Sequence, residues 1–259
     1  MIYEFEAEII EKKIWSNKYC CLSLKIPFDK IELKPGQFFM VKVQENFPLL
    51  RRPLAVMDFE ESSLKFFFQR VGIGTEILFF KKVGERVRIL GPFGNGFSYP
   101  EEKKKSVLLI AGGRGISPIF YLAKKMYEHR IPFVLIYGGK AKEDIPLMEE
   151  LEENSFNVVY VTEDGSFGKK GMVIDFIEEI VKKKQISSIY SCGPVEMLKK
   201  VSYFSERIDI ESLISLEIIM GCGFGACWGC AVRIRENGKE CFKKACVDGP
   251  VFKSEEIVW

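Results

Sequence analysis

Ser106-Val-Leu-Leu-Ile-Ala-Gly-Gly-Arg-Gly-Ile-Ser-Pro118 is the stretch on which the fold turns. Its first half is a continuous apolar run of strand length, the mark of a strand buried on both faces in a parallel sheet. Its second half is a glycine-rich turn, and the Pro that ends it suits the first turn of a helix. The spacing predicts a helix over Pro118–His129, then a strand at Phe133–Tyr137 and a helix around Ile145–Asn154. A strand at Val158–Thr162, a helix over Met172–Lys184, a strand at Ser188–Cys192 and a helix near Val195–Phe204 follow. This alternation predicts a doubly wound parallel sheet. Gly112, Gly113 and Gly115 would let backbone approach a pyrophosphate at a helix N-terminus, with Pro118 opening the helix. The plainer reading is a tight turn without a ligand. Ser191-Cys192-Gly193-Pro194 repeats the theme after another strand, and ligands of open sheets sit at the carboxyl ends of strands.

Upstream the pattern changes. Residues 1–100 carry short aromatic and β-branched segments at Tyr3–Lys12, Tyr19–Lys25, Gln37–Val43, Ser63–Gln69 and Arg86–Leu90, separated by turn signals such as Lys34-Pro35-Gly36. A small antiparallel β-barrel is the economical architecture, because closure removes exposed edges. The charged run Glu101-Glu102-Lys103-Lys104-Lys105 reads as a linker into an α/β unit over 101–210. Residues 211–259 form a third unit, too small to fold without a staple. Three units are thus expected, at 1–100, 101–210 and 211–259.

Composition narrows the function. A net charge of +2 with Lys and Glu interspersed leaves no electrostatic footprint for nucleic acid. No apolar run is long enough for a membrane span and no secretory leader is visible, so the expectation is a cytoplasmic chain. Disulfides are disfavoured there, and the eight Cys need another reading. Five of them fall between 222 and 246, which points to metal. The 22 Phe suggest aromatic packing in the core or around a flat ligand.

The metal reading rests on Cys222-Gly-Phe-Gly-Ala-Cys227-Trp-Gly-Cys230, followed after fifteen residues by Cys246. This is C-x4-C-x2-C…C, the spacing of plant-type [2Fe–2S] sites. The intervening glycines allow a tightly wrapped loop whose amide N–H groups can aim at sulfur. The competing reading is a four-Cys zinc site, but zinc normally takes paired C-x2–4-C knuckles and only one such pair exists. Cys241 is a spare ligand candidate; Cys20, Cys21 and Cys192 read as core thiols. In the barrel, Leu50-Arg-Arg-Pro-Leu-Ala-Val56 and Phe68-Gln-Arg-Val-Gly-Ile-Gly-Thr75 combine cations with a glycine turn. Arg52 and the Gly74-Thr75 amides suit a phosphate and a flavin; a solvated or salt-bridged Arg pair is the ordinary alternative.

Together these residues resemble the ferredoxin–NADP reductase superfamily. Arg52-Pro53-Leu54-Ala55 stands where that superfamily has its R-x-Y-S flavin motif. Gly112–Pro118 resembles its pyridine-nucleotide turn, and Cys192-Gly193-Pro194 its C-G-P motif. The chain is similar, more closely, to the electron-transfer subunits of class 1B dihydroorotate dehydrogenase. The resemblance lies in the Arg-Arg-Pro strand, the Gly72-Ile-Gly-Thr75 turn, Leu90-Gly-Pro-Phe-Gly-Asn-Gly-Phe97, the cluster loop and Cys246-Val-Asp-Gly-Pro-Val-Phe252. It implies an FAD-binding barrel, an NAD(H)-binding domain and a C-terminal [2Fe–2S] module. Flavin contacts would come from Arg52, Pro53, Leu54, Ala55, Gln69, Arg70, Val71, Gly74 and Thr75. Nucleotide contacts would come from Gly112, Gly113, Gly115, Pro118, Cys192, Gly193 and Pro194. Cys222, Cys227, Cys230 and Cys246 would hold the cluster, the last identified by its Cys-x-Asp-Gly-Pro context. Ala55 and Leu54 depart from the motif's Ser and Tyr, which shifts flavin binding toward backbone N–H groups. Lys140 and Lys142 leave NADPH open beside NADH. The implied partner is an FMN-containing dihydroorotate dehydrogenase catalytic subunit, in a heterotetramer. Reductase subunits of hydrogenase, sulfite reductase or transhydrogenase complexes share the layout, and a zinc-stapled nucleotide-binding module is the reading from a different class.

Overall fold

The computed structural model describes residues 2–28, 31–100 and 105–259. The charged run read as a linker lies, at 101–104, outside the described residues. Six strands close into an antiparallel barrel: β1 (Tyr3–Trp15), β2 (Tyr19–Lys25), β3 (Phe38–Lys42), β4 (Arg52–Glu60), β5 (Ser63–Gln69) and β6 (Arg86–Phe93), in the order β1-β2-β5-β4-β3-β6. The long β1 pairs with β6 through its first half and with β2 through its second, with a register shift between Ile9 and Glu11. Such an irregularity bends a strand enough to serve both sides of the closure. Between β5 and β6 lies a short helix, α1 (Ile73–Phe80), that the strand-like aromatic pattern of this region conceals.

β2, β3 and the middle of β5 are buried on both faces, and alternation decides which core each of their residues enters. On β2, Cys20, Leu22 and Leu24 fill the barrel, whereas Tyr19 and Cys21 pack against the next domain. On β5, Phe66 and Phe68 point inward and Phe67 outward. On β3, Phe39 and Val41 are interior, while Phe38 and Met40 join a separate core with the C-terminal segment. The abundant Phe are used this way.

The second domain contains β7 (Ser106–Gly112), α2 (Ile116–Glu128), β8 (Phe133–Gly139), α3 (Met148–Glu153), β9 (Val158–Thr162) and the two-residue β10 (Lys169–Lys170). It continues through α4 (Ile177–Lys184), β11 (Ile186–Cys192), α5 (Val195–Arg207) and β12 (Glu211–Ser215). With β15 (Val251–Lys253) they form one sheet ordered β10-β9-β8-β7-β11-β12-β15, parallel except at β15. Leu109 and Ala111 of β7 pack toward α2, and Leu108 and Ile110 toward α4 and α5, so helices cover both faces. The shortest strands stand at the edges, which limits unpaired backbone. The remaining hairpin, β13 (Ala231–Glu236) and β14 (Lys239–Lys244), forms its own two-stranded sheet. Among the described residues no helix is long and apolar enough to cross a membrane.

Candidate functional site

Three loci carry the residues singled out by sequence. The first is the junction of β4 and α1. Gly74, in the first turn of α1, has no side chain, and the Arg52 guanidinium occupies that space: a Cβ there would lie 2.7 Å from its Cζ. Arg52 also donates to the Leu50 carbonyl. Thr75 Oγ1 accepts from the amides of Val71 (3.0 Å) and Gly72 (3.2 Å) and donates to Gly72 O (2.9 Å), which holds the turn. A guanidinium against a helix N-terminus is the donor set an oxyanion such as a phosphate fits. Leu54 packs into the barrel core, leaving Pro53 and Ala55 half-buried on β4. Gln69 ends β5 opposite Tyr19, Arg70 lies over the Phe79 ring at 5.1 Å, and Val71 is exposed.

The second locus is where the sheet order reverses. β8 and β9 lie on one side of β7, and β11 and β12 on the other, which is the topological switch point where open α/β sheets bind ligands. Cys192 at the end of β11 is paired with Ala111 at the end of β7, so the two glycine turns touch. A Cβ on Gly115 would collide with the Cys192 carbonyl oxygen and lie 2.7 Å from Gly193 N. Gly113 has φ +52°, Pro118 is buried in the first turn of α2, and Pro194 precedes α5. Burial, with the Glu217 carboxylate nearby, pushes the Cys192 thiol far above its ordinary range. Arg114 Nε donates to Glu217 Oε2 at 2.6 Å, tying this turn to the segment that leads into the cysteine loop. Lys142 Nζ lies 5.5 Å from the Phe167 ring centroid, and Lys140 is exposed.

The third locus is the cysteine loop. Cys230 and Cys246 are buried with their sulfurs 3.2 Å apart, while Cys222 is half-buried and Cys227 exposed. The little burial Cys222 has pushes its thiol up. The amides of Cys227, Phe224 and Ala226, with the Cys227 thiol, outweigh this and hold it at about 6. Cys246 is pushed up to about 12 by burial and by the Cys230 thiol beside it. Gly229 N donates to Cys227 Sγ at 3.4 Å. Amides aimed at sulfur from a glycine-rich wrap are what a thiolate-bound iron–sulfur cluster requires. Among the described residues no group of His, Cys, Asp and Glu converges tightly enough to hold one ion. A two-iron cluster does not demand that convergence, since it spreads four thiolates over two metals. Cys241 sits within β14, opposite Ile234.

Contacts between loci were not legible in the sequence. Ser117 Oγ, in the first turn of α2, donates to the Ala55 carbonyl on β4 at 3.3 Å. Pro53 of β4 is the pairing partner of Met40 on β3. Met40 lies against the cysteine loop, where a Cβ on Gly223 would come within 2.6 Å of its Sδ. Within three residues, β4 is thus linked to the nucleotide turn on one side and to the cysteine loop on the other.

The comparisons with known proteins fall on the same segments. The iron-sulfur cluster binding domain of dihydroorotate dehydrogenase B matches residues 217–258, and an oxidoreductase NAD-binding domain matches 109–203. The dihydroorotate dehydrogenase B (NAD(+)) electron transfer subunit of Caldanaerobacter subterraneus subsp. tengcongensis is 41% identical over 225 residues, 87% of each chain. A homolog of that subunit in Aquifex aeolicus is 37% identical over 263 aligned positions, covering all of both chains. A solved NADH-dependent reduced ferredoxin–NADP oxidoreductase, described for flavin-based electron bifurcation, superposes with a TM-score of 0.87 at 29% identity, covering 98% of this chain and 90% of that one. A ferredoxin–NADP+ reductase from Neisseria gonorrhoeae, solved with FAD and NADP, has a TM-score of 0.67 at 21% identity over 80% of this chain and 91% of that one, a likeness of fold.

Proposed function

The chain belongs to the family of dihydroorotate dehydrogenase B electron transfer subunits, and from that premise we propose that it relays electrons between NAD(H), FAD and a [2Fe–2S] cluster for a separate catalytic subunit. The observation that carries the reading is the position of β4. Its Ala55 carbonyl receives Ser117 from the nucleotide helix, and Pro53, through Met40, backs onto the cysteine loop at Gly223. A flavin on this strand lies between the two other cofactor loci.

Each locus has one task. Arg52 and the first turn of α1, with Gly74 and Thr75, hold the FAD phosphates; the backbone of Pro53, Leu54 and Ala55, with Gln69, Arg70 and Val71, lines the flavin. Gly112, Gly113 and Gly115 bring backbone N–H groups to the dinucleotide, with Pro118, Cys192, Gly193 and Pro194 completing that wall. Cys222, Cys227, Cys230 and Cys246 hold the cluster. Bound FAD supplies the exchange between a hydride's electron pair and the single electrons a [2Fe–2S] cluster accepts. The chain's own work is to place the three in order and to bury the route between them. The division into 1–100, 101–210 and 211–259 belongs to this reading, with β12 and β15 joining the third unit to the sheet.

The partner is an FMN-containing subunit that oxidises dihydroorotate to orotate, assembled with this one as a heterotetramer, and NAD+ is the final acceptor in pyrimidine biosynthesis. Phe224, Trp228 and Val247 are exposed around the cysteine loop and suit that contact. A cytoplasmic location fits eight cysteines that are all free. The likeness to the NADH-dependent ferredoxin–NADP oxidoreductase favours a second reading, a transhydrogenase-type reductase subunit. Anaerobic titration of the purified protein with NADH tests the relay: flavin and cluster absorbance both bleach, and a protein in which neither changes sinks it. Purification with its native partner separates the two readings. FMN in the partner and dihydroorotate-dependent NAD+ reduction support the first.

A further inference from the structure

Lys244 holds an unusual place in the cysteine loop. Its Nζ donates to Gly225 O at 3.1 Å and lies 4.6 Å from the centroid of the Trp228 ring. Gly225 falls between Cys222 and Cys227, Trp228 between Cys227 and Cys230, and Lys244 itself two residues before Cys246. From the segment that supplies Cys246, this ammonium therefore reaches two points of the loop that supplies the other three thiols. Its backbone is locked in place. The Lys244 amide donates to Asp248 Oδ2 at 2.7 Å, and its carbonyl accepts from the amides of Val247 (3.0 Å) and Asp248 (2.7 Å). The neighbouring Lys243 is different: it pairs with Glu236 at 2.9 Å. The partners of Lys244 are a carbonyl oxygen and an aromatic face, and neither cancels its charge.

We propose that Lys244 is a potential-setting residue, an ammonium held against the cluster loop to favour the reduced state of the cluster. This rests on the reading of the four cysteines as [2Fe–2S] ligands. Four thiolates leave such a cluster anionic, and reduction adds one more negative charge. A cation held at this loop in a half-buried position is poorly screened by solvent and stabilises the added electron. Lys244 thus adds a full positive charge at this loop, and it biases electrons toward the carrier nearest the exposed Phe224 and Trp228.

The test is an EPR-monitored redox titration of the cluster in the intact holoprotein, wild type against Lys244→Arg, Lys244→Gln and Lys244→Glu. The midpoint stays near the wild-type value in Arg, moves negative in Gln, which keeps a donor for Gly225 O but loses the charge, and moves further negative in Glu. Gln and Glu variants with the wild-type midpoint overturn the proposal, as does an Arg variant shifted as far as Gln. A Gln variant that assembles no cluster also overturns it, because Lys244 would then be a clamp. A wild-type protein without acid-labile sulfide would instead defeat the cluster reading itself, a separate outcome.

Discussion

Cys246 and Cys241 are five residues apart, and their surroundings differ. Cys246 is buried 3.2 Å from Cys230, whereas Cys241 lies within β14 facing a cross-strand Ile. Replacing Cys222, Cys227, Cys230 or Cys246 by Ser is expected to abolish bound iron and acid-labile sulfide, while Cys241→Ser retains both; iron and sulfide analysis of the five variants decides it. Cys20 and Cys21 behave differently again. Burial pushes both thiols up to about 12 from an ordinary 9.0. Folding thus favours their neutral form: the contribution is complete below pH 9.0 and is lost as pH rises toward about 12. At about pH 8 roughly one in ten thousand such thiols is ionised. Iodoacetamide should therefore leave both unlabelled in the native protein at that pH, by peptide mass spectrometry, with labelling appearing only in strong alkali or on unfolding. At this scale the candidate ligand cysteines stand out in the sequence, because ligation imposes a spacing. Lys244 and Ser117 do not, since an isolated Lys or Ser has many uses and its neighbour is decided elsewhere.

Among the elements, the β7 turn and α2 were legible from the apolar run and glycines, since strand burial and helix initiation leave local marks. The strand Arg52–Glu60 extends well past the motif that pointed to it, and α1 was read only as a glycine turn. Phe79 and Phe80 look strand-like, but local helix formation is decided by the Thr75-capped turn and by Leu78 and Phe79 finding the barrel core. The helix expected at Ile145–Asn154 shortens to Met148–Glu153, after a Leu147 with φ +67°. The contact of α2 with β4 carries a prediction. Lys124 on α2 reaches Asp58 on β4 at 2.8 Å, with side-chain exposures of 14% and 6%. Lys124→Ala leaves a buried carboxylate unpaired and should cost on the order of 3 kcal/mol. Lys182→Ala removes an exposed, solvent-screened pair with Glu178 within α4 and should leave stability nearly unchanged. Urea midpoints of the two variants check the contrast.

At the scale of the molecule, the barrel packs against the sheet domain through Tyr19, Cys21, Met57 and Phe67, and against the cluster segment through Phe38, Met40 and Phe93. The first of these interfaces uses none of the cluster cysteines. A Cys222→Ser protein is accordingly expected to keep flavin that NADH bleaches, while dihydroorotate-dependent NAD+ reduction with the partner subunit is lost. Stopped-flow absorbance and a coupled assay on the same preparation separate the two halves of the relay.

What repeats at short range could be read from the residues alone: the C-x4-C-x2-C spacing, the glycine turns after buried strands, and the alternation that announces a parallel sheet. Such patterns are legible because ligand geometry, backbone conformation and burial each act on residues a few positions apart. Long-range packing is what makes β12 and β15, on either side of the cluster segment in sequence, extend the sheet. It alone decided that Ser117 meets Ala55, that Met40 meets Gly223, and that Lys244 meets Gly225. Periodicity reports that a face is buried but not against what. That choice is made by packing the whole chain at once, and it places the strand read as the flavin site between the other two loci.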